Sequence, residues 1–299
     1  MRWCEVYKRL LIVATAVAMM GFGAEADTWY VYPDGSGINP TIQSAVDSAA
    51  ISGDVIFVKT GTYHEGDIVV DGKSITIDQS DGQVFINLPS TGNGTCITIK
   101  NVTSFTLNSL VFRGFETAIA VENASPSVQF ITVVSCNRGV TIAGGSSAPK
   151  VWFGLIDSCG TGVEVQGGSV TLQNETIVNC ATGVRFLGGS TTFTRSIVYN
   201  CSAGVQCSGG SATLGCNDFF LNGSNYDGCA SGTNDFYTDP KFCFWKSVAG
   251  PYQLHDTSPC FTRVNPCNVR IGAFTSPIAG CTGAAVEQSS WGAIKDIYR

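Results

Sequence analysis

The chain has 299 residues, a formal net charge of −6 and only 13% charged residues. No run of lysine and arginine occurs, and binding to a phosphate backbone needs clustered positive charge, so we do not expect a nucleic-acid partner. The 35 glycines favour a fold with many tight turns and little helix.

Residues 1–26 have the pattern of a secretory signal peptide. A positively charged start precedes an apolar stretch that is short for a membrane span, and Ala24-Glu25-Ala26 fits a cleavage site. This pattern predicts cleavage after Ala26 and a mature chain that begins at Asp27. We therefore expect a protein that is secreted or held at the cell surface, with no transmembrane span once the signal is removed.

Residues 27–54 are expected to form an N-terminal cap. A short strand is predicted first, and Asn39 followed by Pro40 is typical of a helix start. The apolar residues of the predicted helix recur at helical spacing: Ile42, Ala45, Val46 and Ala49. Such an apolar face can cover the open end of a β structure, where exposed strand edges otherwise invite aggregation.

A repeat of about 21 residues fills most of residues 55–220. Its marker is a cysteine followed by a Gly-Val pair, as in Cys180-Ala181-Thr182-Gly183-Val184. The clearest copies are separated by 23, 21 and 21 residues and begin at Cys136, Cys159, Cys180 and Cys201. A period of this length, with short strands and glycine-rich turns, predicts a solenoid.

Like residues of successive coils are expected to stack about 4.8 Å apart. The four repeat cysteines then form a column inside the solenoid, where cysteine packs as a small apolar residue. Disulfides between adjacent coils are the alternative, because this spacing lies within the Cα separation of a disulfide. Asn179 and Asn200, each before a repeat cysteine, predict a short asparagine ladder with a structural role.

Residues 221–281 break the period and predict a cap that is stapled by disulfides. The cysteines expected in these disulfides, without an assigned pairing, are Cys216, Cys229, Cys243, Cys260, Cys267 and Cys281. A zinc site is the less favoured alternative, because no Cys-x-x-Cys motif occurs and the chain has only two histidines. Residues 282–299 predict a linker and a terminal tail.

Three features together resemble the pectin-lyase-like superfamily of secreted proteins. They are the Thr41–Asp47 segment followed by Gly53–Val58, the pair of segments Gly61–Glu65 and Gly72–Ile77, and the Gly-Val repeats. The resemblance covers roughly residues 28–220. It implies an all-β, right-handed parallel β-helix with an N-terminal capping helix and a disulfide-rich C-terminal cap.

The catalytic motifs of the superfamily's enzymes are not found in this sequence. Pectin methylesterases share an Asp-Phe-Ile-Phe-Gly segment and polygalacturonases a Gly-His-Gly segment, and neither is present. Polysaccharide lyases hold calcium with clustered carboxylates, and no such cluster is visible here. The segment from Thr233 to Ala273 instead resembles the closing segment of bacterial β-helix repeat proteins without an assigned function.

The remaining candidates for catalysis lie in two rows of the predicted solenoid. Glu164 and Arg185 fall in neighbouring coils on the outward side of one strand row, where a surface ion pair is the simpler interpretation. Asp157 and Arg113 fall two coils apart in a second row and are expected to be solvated.

We therefore expect a non-catalytic protein, structural or glycan-binding, without a cofactor and monomeric. Its expected partner is a polysaccharide or a cell-surface component. A polysaccharide-active enzyme, either a pectin or uronate lyase or a glycoside hydrolase, is the alternative. Two or more carboxylates and a base lining a cleft favour the enzyme, whereas a flat outer face of Thr, Ser, Gln and Asn favours binding.

Overall fold

The computed structural model describes residues 26–90, 94–243, 252–261 and 264–274. The predicted signal peptide up to residue 25, Cys281 and the tail at 282–299 lie outside the described residues. One short helix, α1 (Ile42–Ser48), is present among them. The strands are β1 (Thr28–Val31), β2 (Ser52–Val58), β3 (Gly61–His64), β4 (Ile68–Asp71), β5 (Ser74–Gln79), β6 (Val84–Asn87), β7 (Thr95–Lys100), β8 (Thr106–Asn108), β9 (Leu110–Arg113), β10 (Thr117–Glu122), β11 (Ser127–Gln129), β12 (Thr132–Val134), β13 (Arg138–Ala143), β14 (Lys150–Trp152), β15 (Leu155–Asp157), β16 (Thr161–Val165), β17 (Ser169–Gln173), β18 (Thr176–Val178), β19 (Thr182–Phe186), β20 (Ser190–Thr194), β21 (Ile197–Tyr199), β22 (Ala203–Cys207), β23 (Ser211–Gly215), β24 (Asp218–Phe220) and β25 (Ser224–Asp227).

Successive coils contribute their strands in turn to three sheets. Sheet 1 has the order β1-β2-β5-β8-β11-β14-β17-β20-β23, sheet 2 the order β25-β22-β19-β16-β13-β10-β7-β4, and sheet 3 the order β24-β21-β18-β15-β12-β9-β6-β3. Neighbouring strands are parallel and equivalent residues pair, so that Val163 lies between Val140 and Val184. The predicted right-handed parallel β-helix is confirmed, with about eight coils.

The interior of the solenoid is a continuous stack of apolar side chains. In sheet 2, Val163, Val184 and Val205 are fully buried. Glu164 and Arg185 alternate with these valines and face away from the interior. β-branched residues suit this pleated, half-buried surface. Each buried aliphatic side chain contributes roughly 1.5–3 kcal/mol, so the stack is the main source of stability.

The Gly-Val repeat has a steric cause. A Cβ atom at Gly162 would lie 2.5 Å from the carbonyl oxygen of Gly183, and one at Gly183 would lie 2.5 Å from that of Gly204. Carbon and oxygen atoms that are not bonded do not approach so closely, so only glycine lets neighbouring coils stack at this point. The repeated glycine therefore marks where successive coils come closest.

Helix α1 covers the N-terminal end of the solenoid with Ile42, Ala45 and Val46, which are buried. Its N-cap is Thr41, whose hydroxyl accepts a hydrogen bond from the backbone N–H of Ser44 at 3.0 Å. The predicted N-cap at Asn39 is therefore wrong by two residues. Asn39 is buried instead and accepts a hydrogen bond from the Ser48 hydroxyl.

Two side chains from the segments that resemble the superfamily hold the ends of α1. The Glu65 carboxylate accepts hydrogen bonds from the first two backbone N–H groups of the helix, at 2.8 Å each. The Lys73 ammonium donates to the carbonyls of Val46 at 2.6 Å and Ala49 at 2.8 Å. The negative charge at the start of α1 and the positive charge at its end both interact favourably with the helix dipole. These two segments therefore anchor the N-terminal cap.

The strands of the solenoid extend beyond the predicted limits of 55–220. They begin with β1 in the predicted N-terminal cap and end with β25, inside the predicted C-terminal cap. The described residues of 230–274, here called the C-terminal cap, then fold back across the outer face of sheet 3. The apolar side chains of this cap pack on those of sheet 3. The contacts join Phe242, Tyr252, Leu254 and Ile271 of the cap to Leu155, Val178, Ile197 and Tyr199 of the sheet.

Two disulfides join described cysteines. Cys207 pairs with Cys229 and Cys216 pairs with Cys267, with Cα separations of 5.2 and 5.9 Å. Cys243 is disulfide-bonded as well.

One cysteine differs from the sequence prediction. The predicted disulfide of Cys260 is wrong, because its thiol is free, fully buried and 3.3 Å from Asp218 Oδ2, to which it donates. Cys207 packs against the core of the solenoid and takes part in the disulfide with Cys229.

The stacked glycines allow a direct test of the steric explanation. We expect Gly183→Ala to lower the free energy of unfolding by about 1–3 kcal/mol, because the new methyl group collides with the next coil. Gly145→Ala is the control, since nothing lies within 4 Å of a Cβ there, and it should change stability by less than about 0.5 kcal/mol. Urea unfolding midpoints measure both, and equal midpoints for the two variants would contradict the explanation.

Candidate functional site

Glu164 lies on the outer side of sheet 2 and is surrounded by its neighbours. Its carboxylate accepts a hydrogen bond from Gln166 Nε2 at 2.8 Å. It also lies 3.6 Å from Arg185 Nη1 and 3.9 Å from Arg138 Nε. With only 8% of its side chain exposed, this carboxylate is occupied by partners of its own chain and has little room for a substrate.

Arg185 continues the same row of polar contacts. Its Nε donates to Gln206 Oε1 at 2.9 Å, and Gln206 Nε2 donates to Asp227 Oδ2 at 2.8 Å. The contacts therefore run along the solenoid from coil to coil. They use the groups that catalysis by Glu164 and Arg185 would need, and they tie neighbouring coils together.

Asp157 and Arg113 are not brought together by the fold. Val134 lies between them in the register of sheet 3. Arg113 is stacked over the ring of Phe85, 4.2 Å from its centre. Asp157 is fully buried, so the expectation that it is solvated is wrong. The C-terminal cap covers it.

The two asparagines before the repeat cysteines are hydrogen-bonded across coils. Asn200 Nδ2 donates to Asn179 Oδ1 at 2.8 Å, and Asn179 Nδ2 donates to Asp157 Oδ1 at 2.9 Å. Both asparagines have a positive φ, of 54° and 55°, and asparagine tolerates this left-handed conformation better than most residues. These side chains stabilise one corner of the solenoid.

Three carboxyl groups are buried beneath the C-terminal cap or beside it: Asp157, Glu175 and Asp218. Burial raises the pKa of Asp157 and of Glu175. Burial also raises the pKa of Asp218 to about 7.

Asp218 accepts a hydrogen bond from the Thr238 backbone N–H at 3.0 Å and one from the Cys260 thiol. Asp157 accepts one from the Tyr252 hydroxyl at 3.2 Å. Asp157 and Asp218 therefore anchor the cap.

Sheet 1 presents a flat polar outer face, which is not among the sites that the repeat predicts. Two rows of outward side chains cross its last five strands, and we call them the sheet 1 face. The first row is Ser127, Lys150, Thr171, Thr192 and Thr213; the second is Gln129, Trp152, Gln173 and Thr194. One side chain of the two rows is charged, and the others are hydrogen-bonding groups and one indole.

An aromatic cluster lies at the margin of the sheet 1 face. The rings of Phe130 and Phe153 are stacked nearly parallel with centroids 5.2 Å apart, and Trp152 lies 5.6 Å from Phe153. Phe130 is 47% exposed. The indole N–H of Trp152 donates to Ser127 Oγ at 3.2 Å, which holds the ring across two coils. Exposed aromatic carbon thus lies beside polar side chains, an arrangement that suits the mixed surface of a sugar ring.

Two further features bear on what the surface can do. Within the described ranges, no helix is long and apolar enough to cross a membrane. No group of three or more His, Cys, Asp or Glu side chains among these residues is placed to hold a metal ion.

The three parallel sheets and their stacked coils define a parallel β-helix protein. Within this class, the family described as "Periplasmic copper-binding protein (NosD)" matches residues 48–253, and the chain belongs to this family. A periplasmic family agrees with export. No curated protein matches the chain.

Several solved structures are similar to the chain at low identity. A pectate lyase from Xanthomonas campestris shares 12% identity, with 64% of this chain and 78% of that chain covered and a TM-score of 0.36. Pectate lyase Pel9A shares 12% identity over 84% and 96%, with a TM-score of 0.32. The pectin methylesterase from Aspergillus niger shares 13% over 64% and 85%, with a TM-score of 0.23.

The buried carboxyl groups predict that stability depends on pH. Burial raises the pKa of Asp218 from 3.8 to about 7, so between these values the folded state holds a proton that the unfolded state has lost. The free energy of unfolding should therefore fall as pH rises from about 4 to about 7, by up to about 4 kcal/mol from this group. Its contribution is fully present below pH 4.

Asp218→Asn tests this expectation because asparagine keeps the shape and cannot titrate. Urea midpoints measured from pH 4 to pH 8 should fall less steeply for this variant than for the unmodified protein. Glu116→Gln is the control, since Glu116 is exposed in the turn before β10, away from the C-terminal cap. An unchanged slope for Asp218→Asn would show that the carboxyl group does not titrate in this range.

Proposed function

We propose that the protein is an exported, non-catalytic β-helix protein that binds a polysaccharide along the sheet 1 face. The observation that carries this proposal is the face itself: rows of Ser, Thr and Gln side chains with Trp152 among them and stacked phenylalanines at the margin. Sugar hydroxyls can bond to the polar rows, and the apolar side of a sugar ring can pack on the aromatic rings.

The spacing and charge of the face support an extended, uncharged or weakly acidic ligand. Like side chains recur about every 4.8 Å along the solenoid axis, so a polymer chain can meet the same groups repeatedly. Lys150 is the one charged side chain in the two rows. A strongly anionic ligand would require more positive charge than this face offers.

The state of the candidate catalytic residues favours binding over cleavage. Glu164 is held by two arginines and a glutamine, and Arg185 is engaged by Glu164 and Gln206. Asp157 is buried under the cap. A lyase or a glycoside hydrolase needs an accessible acid or base beside the scissile bond, and these residues do not provide one.

The family name suggests copper as a ligand, and the residues that the structure describes do not fit a copper site. Copper is held by sulfur and imidazole ligands. His64 lies in β3 and His255 in the C-terminal cap, while the four repeat cysteines are buried in a line, one coil apart. The described ranges contain no convergent ligand set. Copper therefore has no part in the proposed function.

Glycan binding by purified protein tests the proposal. The ligands are neutral polysaccharides and uronate polymers, each with and without Ca²⁺, measured by calorimetry and by the release of reducing or unsaturated ends. We expect binding to at least one polysaccharide without chain cleavage. New chain ends would overturn the non-catalytic assignment and favour the enzyme.

Two variants test whether the ligand binds on the sheet 1 face. Trp152→Ala should weaken binding about tenfold, or about 1.4 kcal/mol, through loss of the ring that packs on the sugar. Thr192→Glu should also weaken it, because it adds bulk and charge to an exposed position of the row. Tyr237→Ala removes an exposed aromatic residue of the C-terminal cap and is the control. Equal affinities for all the variants and the unmodified protein would exclude this face.

A further inference from the structure

Four buried thiols form a column inside the solenoid: Cys136, Cys159, Cys180 and Cys201. Each is only 2–3% exposed, and each occupies the same place in its coil. The Cys159 thiol lies within hydrogen-bonding reach of those of Cys136 and Cys180, and the Cys180 thiol within reach of that of Cys201. The column is therefore continuous, with sulfur next to sulfur across four coils.

The same fold already holds a disulfide between neighbouring coils. Cys207 and Cys229 are 22 residues apart in sequence and have a Cα separation of 5.2 Å. Cys207 is the last residue of β22 and Cys229 follows β25, and these two strands pair directly with Gln206 opposite Asp227. Cys229 therefore lies one residue beyond the position equivalent to Cys207. The column cysteines occupy equivalent positions of stacked coils, about 4.8 Å apart, and this spacing also lies within the Cα separations of a disulfide.

The protein also meets an oxidant. Its family is periplasmic, and the Cys207–Cys229 and Cys216–Cys267 bonds require an oxidising compartment. Once the coils have closed, the column is shielded from solvent, so its chemistry must be decided while the coils form.

We propose that the column is a site of disulfide formation in which Cys136 pairs with Cys159 and Cys180 pairs with Cys201. This pairing joins neighbours in the column and leaves no member unpaired. A central Cys159–Cys180 bond, in contrast, strands the two outer thiols.

The oxidant is a protein disulfide of the thiol-oxidase class. A thiolate of the column attacks one sulfur of the oxidant's disulfide, forms a mixed disulfide and releases one oxidant thiolate. The second column thiolate then attacks the column sulfur of the mixed disulfide and releases the second oxidant thiolate. Two column thiols become one disulfide, and the two protons and two electrons pass to the oxidant, which leaves as a dithiol.

Thiol counting on the exported protein tests the proposal. The full chain is exported from cells, quenched in acid, unfolded and alkylated, and the modified cysteines are counted by intact mass and located by peptide mapping. Six of the described cysteines are free thiols in the structure, and four of these six form the column. We expect only Cys96 and Cys260 to be alkylated. Alkylation of all six would overturn the proposal, and a Cys159–Cys180 bond would overturn the pairing.

One substitution gives opposite changes for the two states of the column. If Cys136 is paired, Cys136→Ala frees Cys159 and raises the number of alkylated described cysteines by one. If the column is reduced, the same variant lowers that number by one. Cys96→Ala is the matched control, since Cys96 is buried outside the column and its loss lowers the count by one in either case. The readout needs no ligand and does not depend on glycan binding.

Discussion

The constraint on which the structure depends is the fixed register between parallel coils. Backbone hydrogen bonds align each strand with its equivalent in the coils before and after it, so every position becomes a row along the solenoid. Rows of valine form the core, and a row of glycine permits the closest approach, as at Gly183. A row of asparagine bonds along one corner, as at Asn179. The effect of a substitution on stability therefore depends on the row in which the residue lies.

The register also explains why the fold could be predicted from the sequence. The spacing from Cys136 to Cys201 gave the coil length, and the alternation around Glu164 gave the inner and outer faces. The segments with Glu65 and Lys73 carried the resemblance to the superfamily, although their role as charged anchors of α1 became visible only in the structure. Short-range periodicity determines coil stacking, which is why these predictions succeeded.

The candidate functional surfaces could not be predicted in the same way. The C-terminal cap has no period, so nothing in the sequence indicated that it covers sheet 3 and buries Asp157. Cys260 follows the pattern of a disulfide cysteine, yet its long-range neighbour is Asp218. The sheet 1 face is not among the predicted sites, although the alternation of Ser, Thr and Gln with apolar residues in β17 is its signal in the sequence. The aromatic cluster beside it forms through contacts between residues of neighbouring coils, and sequence spacing alone does not reveal these contacts.

The number of stacked coils sets the length of any surface that runs along the solenoid. The sheet 1 face spans five strands from β11 to β23, or about 19 Å along the axis, and each coil contacts mainly its neighbours. Gain or loss of one coil would change the reach of the face by about 4.8 Å and leave the chemistry of every other step intact. Under the proposed function, the number of coils would set the length of polysaccharide that the face contacts, and the side chains of each coil would set what is recognised there.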